Sequence, residues 1–235
     1  MSINFHAYQC RGYLFRDYEG ICKQWLTAFT NYDPARVMEI LDLKRDDDFL
    51  FLTYFQRPFR LRLANGVLEK KLDESDPDIP ADGVWSEYHY YEGGWTDRVY
   101  FNEAMSVYHL LSNVKDHPLL HGVWIPNREL DPRAIGNKRE DLLCKTFAEQ
   151  FAGKLDALDL ACRKLNGKKL KSRADLSYEF EAFPRVALQL HFWDEDDEFP
   201  AQVQILVDRN ITDFVHLETT GCMASDLFEI LTDYQ

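Results

Sequence analysis

The stretch Pro184 to Asp208, PRVALQLHFWDEDDEFPAQVQILVD, leaves this chain few ways to fold. Val186, Leu188, Leu190 and Phe192 alternate with Ala187, Gln189, His191 and Trp193. Further on, Val203, Ile205 and Val207 alternate with Gln202, Gln204 and Leu206. Successive side chains of a strand point to opposite faces, so strict period-two alternation predicts two half-buried strands. Between them stand Asp194, Glu195, Asp196, Asp197 and Glu198. A run of adjacent carboxylates cannot be buried without partners, which places it at a solvated turn. The expectation is an antiparallel hairpin, greasy face inward, at the centre of the fold.

The other segments supply the layers around it. Asp17 to Thr30 reads as a short helix with Ile21, Cys22, Trp25 and Phe29 on one face. Asp33-Pro34 starts a second helix, since Asp caps and Pro suits the first helical position. Residues 49–55 and 59–63 read as strands, and Asn65-Gly66 predicts a two-residue type I′ hairpin into 67–72. Residues 73–83, acidic and carrying Pro77 and Pro80, read as a loop. Asn102 caps a helix over 103–115. Leu143, Phe147, Phe151, Leu155, Leu158, Cys162 and Leu165 recur at the helical period. They predict one long helix from Asn137 or Arg139 to about Leu165, ended by Gly167. A last helix covers 220–234. Strands and helices do not alternate as in a doubly wound sheet. The expected class is therefore α+β, a mainly antiparallel sheet with helices packed on it. It is expected as one domain over 1–235, with a helical and hairpin subregion at 1–72 as the alternative division.

Charge narrows the function. The formal net charge is −13 across 235 residues, and diffuse negative charge repels phosphate backbones and anionic lipid. Nucleic-acid and membrane-surface partners are thereby disfavoured. The basic cluster Lys164 to Arg173 runs against this trend, but no aromatic residue is interleaved with it. It reads as a solvated helix end and loop. The five cysteines are odd in number and none is in C-x-x-C spacing, which argues against a disulfide framework or a standard zinc or iron–sulfur motif. With a polar opening stretch and no long apolar run, the expectation is a soluble, cytoplasmic protein.

Three groups of residues are candidates for chemistry. Gln189, His191 and Trp193 share one side of their strand, and with Gln202 and Gln204 opposite they would form a polar-aromatic binding face. Trp85, Tyr90 and Trp95 lie in an aromatic run, 84–101, that also holds Tyr88, Tyr91, Tyr100 and Phe101. That run is either a flap over the core or a wall for a flat or sugar-like ligand. Asp194, Asp196, Asp197 and Glu198 would supply oxygen ligands to a hard divalent cation, although the spacing and glycine of a Ca²⁺ loop are missing. The bland alternative is a charged turn that keeps the sheet end soluble. His117 and His121 are four apart, but Pro118 makes a continuous helix between them improbable. Cys162 on the helical stripe reads as a small buried hydrophobe. No G-x-S-x-G, H-E-x-x-H, G-x-G-x-x-G or P-loop is present.

WIPNREL from Trp124, Phe183-Pro184-Arg185, Phe192-Trp193, Asp197 to Ala201 and Ile205 to Asp208 together resemble the domain of unknown function 3786 family of anaerobic bacteria and archaea. The Asp33-Pro34 helix and the 57–66 hairpin fit its pattern, so the resemblance runs from about residue 33. The aromatic segment 84–101 is longer than the family norm, and the cysteine-rich iron–sulfur segment of some relatives is absent here. The resemblance implies a fold and carries over no catalytic residue. The functional expectation is a module that binds a small molecule or a protein, with no cofactor assigned. The alternatives are a carboxylate–histidine enzyme with a divalent metal, and an accessory subunit in anaerobic redox or one-carbon metabolism.

Overall fold

A computed structural model describes residues 33–64, 66–72, 84–87, 90–91, 94–95, 101–130 and 138–235. The helix expected over Asp17 to Thr30, the 73–83 loop and Asn65 lie outside these residues. Helix α1, Pro34–Leu41, starts as its sequence dictates: the Asp33 carboxylate accepts from the backbone N–H groups of Ala35 and Arg36 at 3.1 and 3.3 Å. A first antiparallel sheet follows in plain sequence order: β1 (Lys44–Arg45), β2 (Phe49–Tyr54), β3 (Arg57–Arg62), β4 (Leu68–Leu72) and β5 (Val84–Glu87). Two short strands, β6 (Tyr90–Tyr91) and β7 (Gly94–Trp95), pair with each other, and helix α2 spans Phe101–Asn113.

The second sheet runs in the order β8, β12, β11, β10, β9 and is antiparallel throughout. Its strands are β8 (Trp124–Pro126), β9 (Lys168–Lys169), β10 (Leu176–Phe183), β11 (Val186–Trp193) and β12 (Gln202–Asp208). Leu190 sits opposite Ile205, so the expected hairpin forms, and Val186, Leu188, Leu190 and Phe192 are fully buried. Helices α3 (Lys138–Phe151), α4 (Leu155–Lys164) and α5 (Leu217–Asp233), with short 3₁₀ turns at Asn127–Glu129 and Ile211–Asp213, complete the described elements. The fold is α+β with two antiparallel sheets. No helix among the described residues is long and apolar enough to cross a membrane.

Two expectations about turns are corrected. The stripe from Leu143 to Leu165 belongs to two helices, α3 and α4, broken at Gly153, which takes φ +68°. Glycine reaches that left-handed conformation without a Cβ penalty. Its N–H leaves the helix to donate to the Asp194 carboxylate at 2.8 Å. The apolar period survives the break because both helices bury the same stripe, with Phe147 and Leu158 both fully enclosed. At Asn65-Gly66 the hairpin forms but not as a two-residue turn. Gly66, at φ +74°, donates to the Arg62 carbonyl, and the Arg62 N–H donates to the Val67 carbonyl, so the pairing next to the turn is Arg62 with Val67.

α5 lies in the middle of the core. Ten of its residues are buried, including Thr219, Thr220, Ser225 and Asp226, so it touches neighbours around much of its circumference. Phe228 stacks on Phe147 of α3 at 4.3 Å. Asp226 accepts a hydrogen bond from the Tyr54 hydroxyl at 2.6 Å, and Tyr54 stacks on Phe183 at 4.6 Å between centroids. One side chain at the end of β2 thus touches the end of β10 and the central helix. Burial first, and the Asp226 charge second, raise the Tyr54 pKa well above its ordinary value, so the phenol stays a donor. Beside it, Glu103 on α2 takes Lys70 of β4 at 2.7 Å and Arg57 of β3 at 3.3 Å. Lys70 and Glu103 are both buried, and the pairing is what permits charges there.

Gly167 sits where α4 hands over to β9. An added Cβ would lie 2.6 Å from the Phe180 ring and 2.9 Å from the Cys162 carbonyl oxygen. Gly167→Ala is expected to lower unfolding free energy by about 1–3 kcal/mol through overpacking, measured by urea denaturation. Tyr54→Phe is expected to cost about 2 kcal/mol by removing a hydrogen bond to a charged group, with an unchanged denaturant slope.

Candidate functional site

The register of three neighbouring strands builds one polar face. His191 lies opposite Ser177 on one side and Gln204 on the other; Gln189 lies opposite Glu179 and Leu206; Trp193 lies opposite Gln202. These residues alternate with Tyr178, Phe180, Leu188, Leu190, Phe192 and Ile205, which fill the core. Tyr178, on the core side, donates to Asp159 of α4 at 2.7 Å. The polar set therefore occupies the face turned away from α4. His191 and Trp193 are half-buried, with ring centroids 6.2 Å apart.

A hydrogen-bonded chain crosses this face. Gln189 Nε2 donates to Glu179 Oε2 at 3.0 Å, His191 Nε2 meets Gln189 Oε1 at 3.3 Å, and Ser177 Oγ meets His191 Nδ1 at 3.3 Å. Ser172 Oγ is 2.6 Å from Ser177 Oγ. The donors can be assigned from one end. A carboxylate only accepts, so the Gln189 amide nitrogen faces Glu179 and its carbonyl oxygen faces His191. His191 must then carry its proton on Nε2, which leaves Nδ1 as the acceptor for Ser177. Burial lowers the His191 pKa below its ordinary value, which favours this neutral form. Lys168 Nζ lies 3.7 Å from Glu179 at the far end.

The acidic run is a turn with assigned work. The Asp194 carboxylate accepts from Gly153 and Glu195 N–H at 2.8 and 2.9 Å, and Asp194 N–H donates to Asp175 at 2.9 Å. Asp196 accepts from Glu198 and Phe199 N–H at 2.8 and 2.7 Å. The carboxylates of Asp197 and Glu198 face solvent. No group of three or more His, Cys, Asp or Glu side chains able to hold a metal occurs among the described residues. Asp194 and Asp196 use their oxygens to shape the backbone, as Asx turns do.

The aromatic residues divide. Trp85 lies on the first sheet, where the Arg60 guanidinium sits 4.3 Å from its ring and 4.0 Å from that of Phe49, and Arg60 also pairs with buried Glu69. Trp85 thus belongs to a cation–aromatic stack on a different sheet from His191. Tyr90 and Trp95 face each other across β6 and β7; their side chains, with Tyr88 and Tyr100, lie outside what the structure describes. His121 Nε2 lies 3.3 Å from Asn210 Nδ2, in a loop that Asp208 holds through the N–H groups of His121 and Gly122. An open groove of about 450 Å³ beside α1, lined by Ala35, Met38, Glu39, Leu43 and Arg45, contains no residue of the second sheet.

Residues 91–229 match the family model described as Domain of unknown function (DUF3786). The chain belongs to that family. The matched segment covers more than half of the chain but starts at 91 rather than near 33. The DUF3786 span therefore holds α2, the second sheet, α3, α4 and all but the last turn of α5, while the first sheet and Trp85 fall outside it. The hydrogen-bonded chain from Ser172 to Glu179, and Gln204 opposite His191, all lie inside it. No curated protein and no solved structure matches. Sequence reading passed over Ser177 and Glu179, although their alternation with Leu176, Tyr178 and Phe180 was a usable signal. Ser172 carried none, because only the bend of the chain brings it to Ser177.

A second histidine site joins α2 to α5. His109 Nδ1 is 2.8 Å from Thr219 Oγ1, and its ring is 5.2 Å from that of His216, which caps α5 by accepting from Glu218 N–H. Burial, then the His216 charge, push the His109 pKa from 6.5 to about 4. The unfolded chain binds this proton more readily, so the stabilisation is complete above pH 6.5 and is lost as pH falls toward 4. Urea unfolding of the native protein and of His109→Gln across this window should show a wild-type-specific loss of up to about 3 kcal/mol.

Proposed function

We propose that this DUF3786 protein is a small-molecule-binding module whose ligand meets the second sheet at Trp193, His191 and Gln204. One observation carries the reading: three adjacent strands present donors and an aromatic ring on a single rigid face. Gln202 and Gln204 hold no side-chain hydrogen bond among the described residues, and the Trp193 indole N–H has no acceptor there. Free amides beside a half-buried ring offer in-plane hydrogen bonds and a flat contact to the same ligand. The strands are hydrogen-bonded on both edges of β11, so little ordering is needed on binding.

Charge supports a neutral or cationic ligand. Glu179 and Glu181 lie on the face and the carboxylates from Asp194 to Glu198 follow Trp193 in the chain, so acids outnumber the cation that pairs with Glu179 at its edge, Lys168, and the net charge of −13 opposes anions. The test is calorimetric titration of the full chain with sugars, nucleosides, amides and polyamines. At least one should bind, and its affinity should drop about tenfold or more in Trp193→Ala, as truncation of an aromatic anchor does. A panel without a binder, or binding indifferent to Trp193, would overturn the reading.

A further inference from the structure

We propose that Ser172 is a nucleophile primed by a proton relay through Ser177 to His191, giving this face hydrolytic activity on activated acyl esters. The geometry supplies the parts that a weak hydroxyl nucleophile needs: a base, a path to it, and a third group that orients the base. The path is Ser172 Oγ to Ser177 Oγ at 2.6 Å and Ser177 Oγ to His191 Nδ1 at 3.3 Å. The orienting group is Gln189, itself fixed by Glu179. The direction of the relay follows from its carboxylate end. Nε2 of His191 is the ring donor, Nδ1 is the free base, Ser177 donates to it, and Ser172 donates to Ser177.

Burial sorts the two serines. Ser177 is 2% exposed and serves only as a conduit, whereas Ser172 is exposed and reachable by substrate. Ala174 N–H also donates to Ser172 Oγ at 2.9 Å, which stabilises negative charge on that oxygen as its proton leaves. The step balances. Ser172 Oγ bonds to the acyl carbon, its proton passes to Ser177, and the Ser177 proton passes to His191 Nδ1. The proton held on His191 passes back through Ser177 directly to the departing alkoxide, because the acylated Ser172 oxygen can no longer relay it. Water then attacks the acyl carbon, giving its proton to Ser177 and on to His191, and as the acid leaves, Ser172 Oγ takes that proton back from Ser177 and regains its hydroxyl.

A fluorophosphonate reports the first half of this cycle directly, since the serine oxygen displaces fluoride at phosphorus. The full-length protein incubated with such a probe should gain the mass of one phosphonyl group, mapped by peptide sequencing to Ser172. Ser172→Ala, an exposed change that leaves the core alone, should not be labelled. His191→Gln should be labelled at least about tenfold more slowly, the lower end of what a positioned base contributes being larger still. An unlabelled native protein, a label that persists in Ser172→Ala, or an unchanged rate in His191→Gln would each overturn the proposal. The outcome is separable from the binding reading, with which it shares His191. Labelled Ser172 with no metabolite bound supports the relay alone, and a bound metabolite with Ser172 unlabelled supports only the binding face.

Discussion

Tyr54 is the point on which the two sheets and the central helix depend. Its ring lies on Phe183, its hydroxyl reaches Asp226, and the next residue, Phe55, donates its N–H to the Ala182 carbonyl at 2.9 Å. A carboxylate in the core is expensive unless it is hydrogen-bonded, so Asp226 and Tyr54 require each other. Apolar contact alone would let one sheet slide over the other. A directional bond at the seam allows only one placement.

The turns that meet at this seam are strained, and they are strained together. Phe55 and Gln56 both take positive φ, +45° and +64°, at the β2–β3 turn; Arg185 does so at +69° in the β10–β11 turn, and Asp42 at +51° after α1. Each left-handed non-glycine residue costs roughly 1–2 kcal/mol. Side-chain contacts offset the cost. Phe55 is buried, and Arg185 donates to the Ile40 carbonyl at 2.8 Å while lying 5.3 Å from the Phe214 ring. Glycine would relieve the backbone at these positions and lose the contacts that hold α1 and both hairpins in register. The rigid hairpin that results is the scaffold on which His191 and Trp193 sit.

How much of this is legible in the chain follows from what kind of pattern carries it. The β11–β12 hairpin is a property of neighbours in sequence, so alternation alone revealed it and put Gln189, His191 and Trp193 on one side. The acidic run was legible as an exposed turn, but its roles were not. Asp194 reaches Gly153 some forty positions away, and that same bond explains why one apolar stripe becomes two helices. The Phe55–Gln56 turn has neither glycine nor asparagine, so nothing local announces it. The Ser172–Ser177–His191 chain depends on which residue of β10 faces which residue of β11. That register is set by the Pro184-Arg185 turn and by the bulge near Glu181, not by the composition of either strand. Trp85 and Trp193 are both aromatic candidates for ligand contact in the sequence; strand pairing puts them on different sheets.

The limits of the DUF3786 match sharpen the role of the first sheet. Asp226 and Phe183 lie inside the matched span, and Tyr54, which binds both, lies outside it. The same holds for Glu103, inside, and its partners Lys70 and Arg57, outside. Each pairing crosses the boundary with the acid on the family side and its donor on the first sheet. A segment cut at residue 91 would keep two buried carboxylates and lose these donors to them, which favours charge repulsion and hydration over a closed core. In this chain the family segment and the preceding sheet therefore stabilise one another electrostatically. The polar face on the second sheet depends on the first, even though no residue of the first sheet contributes to it.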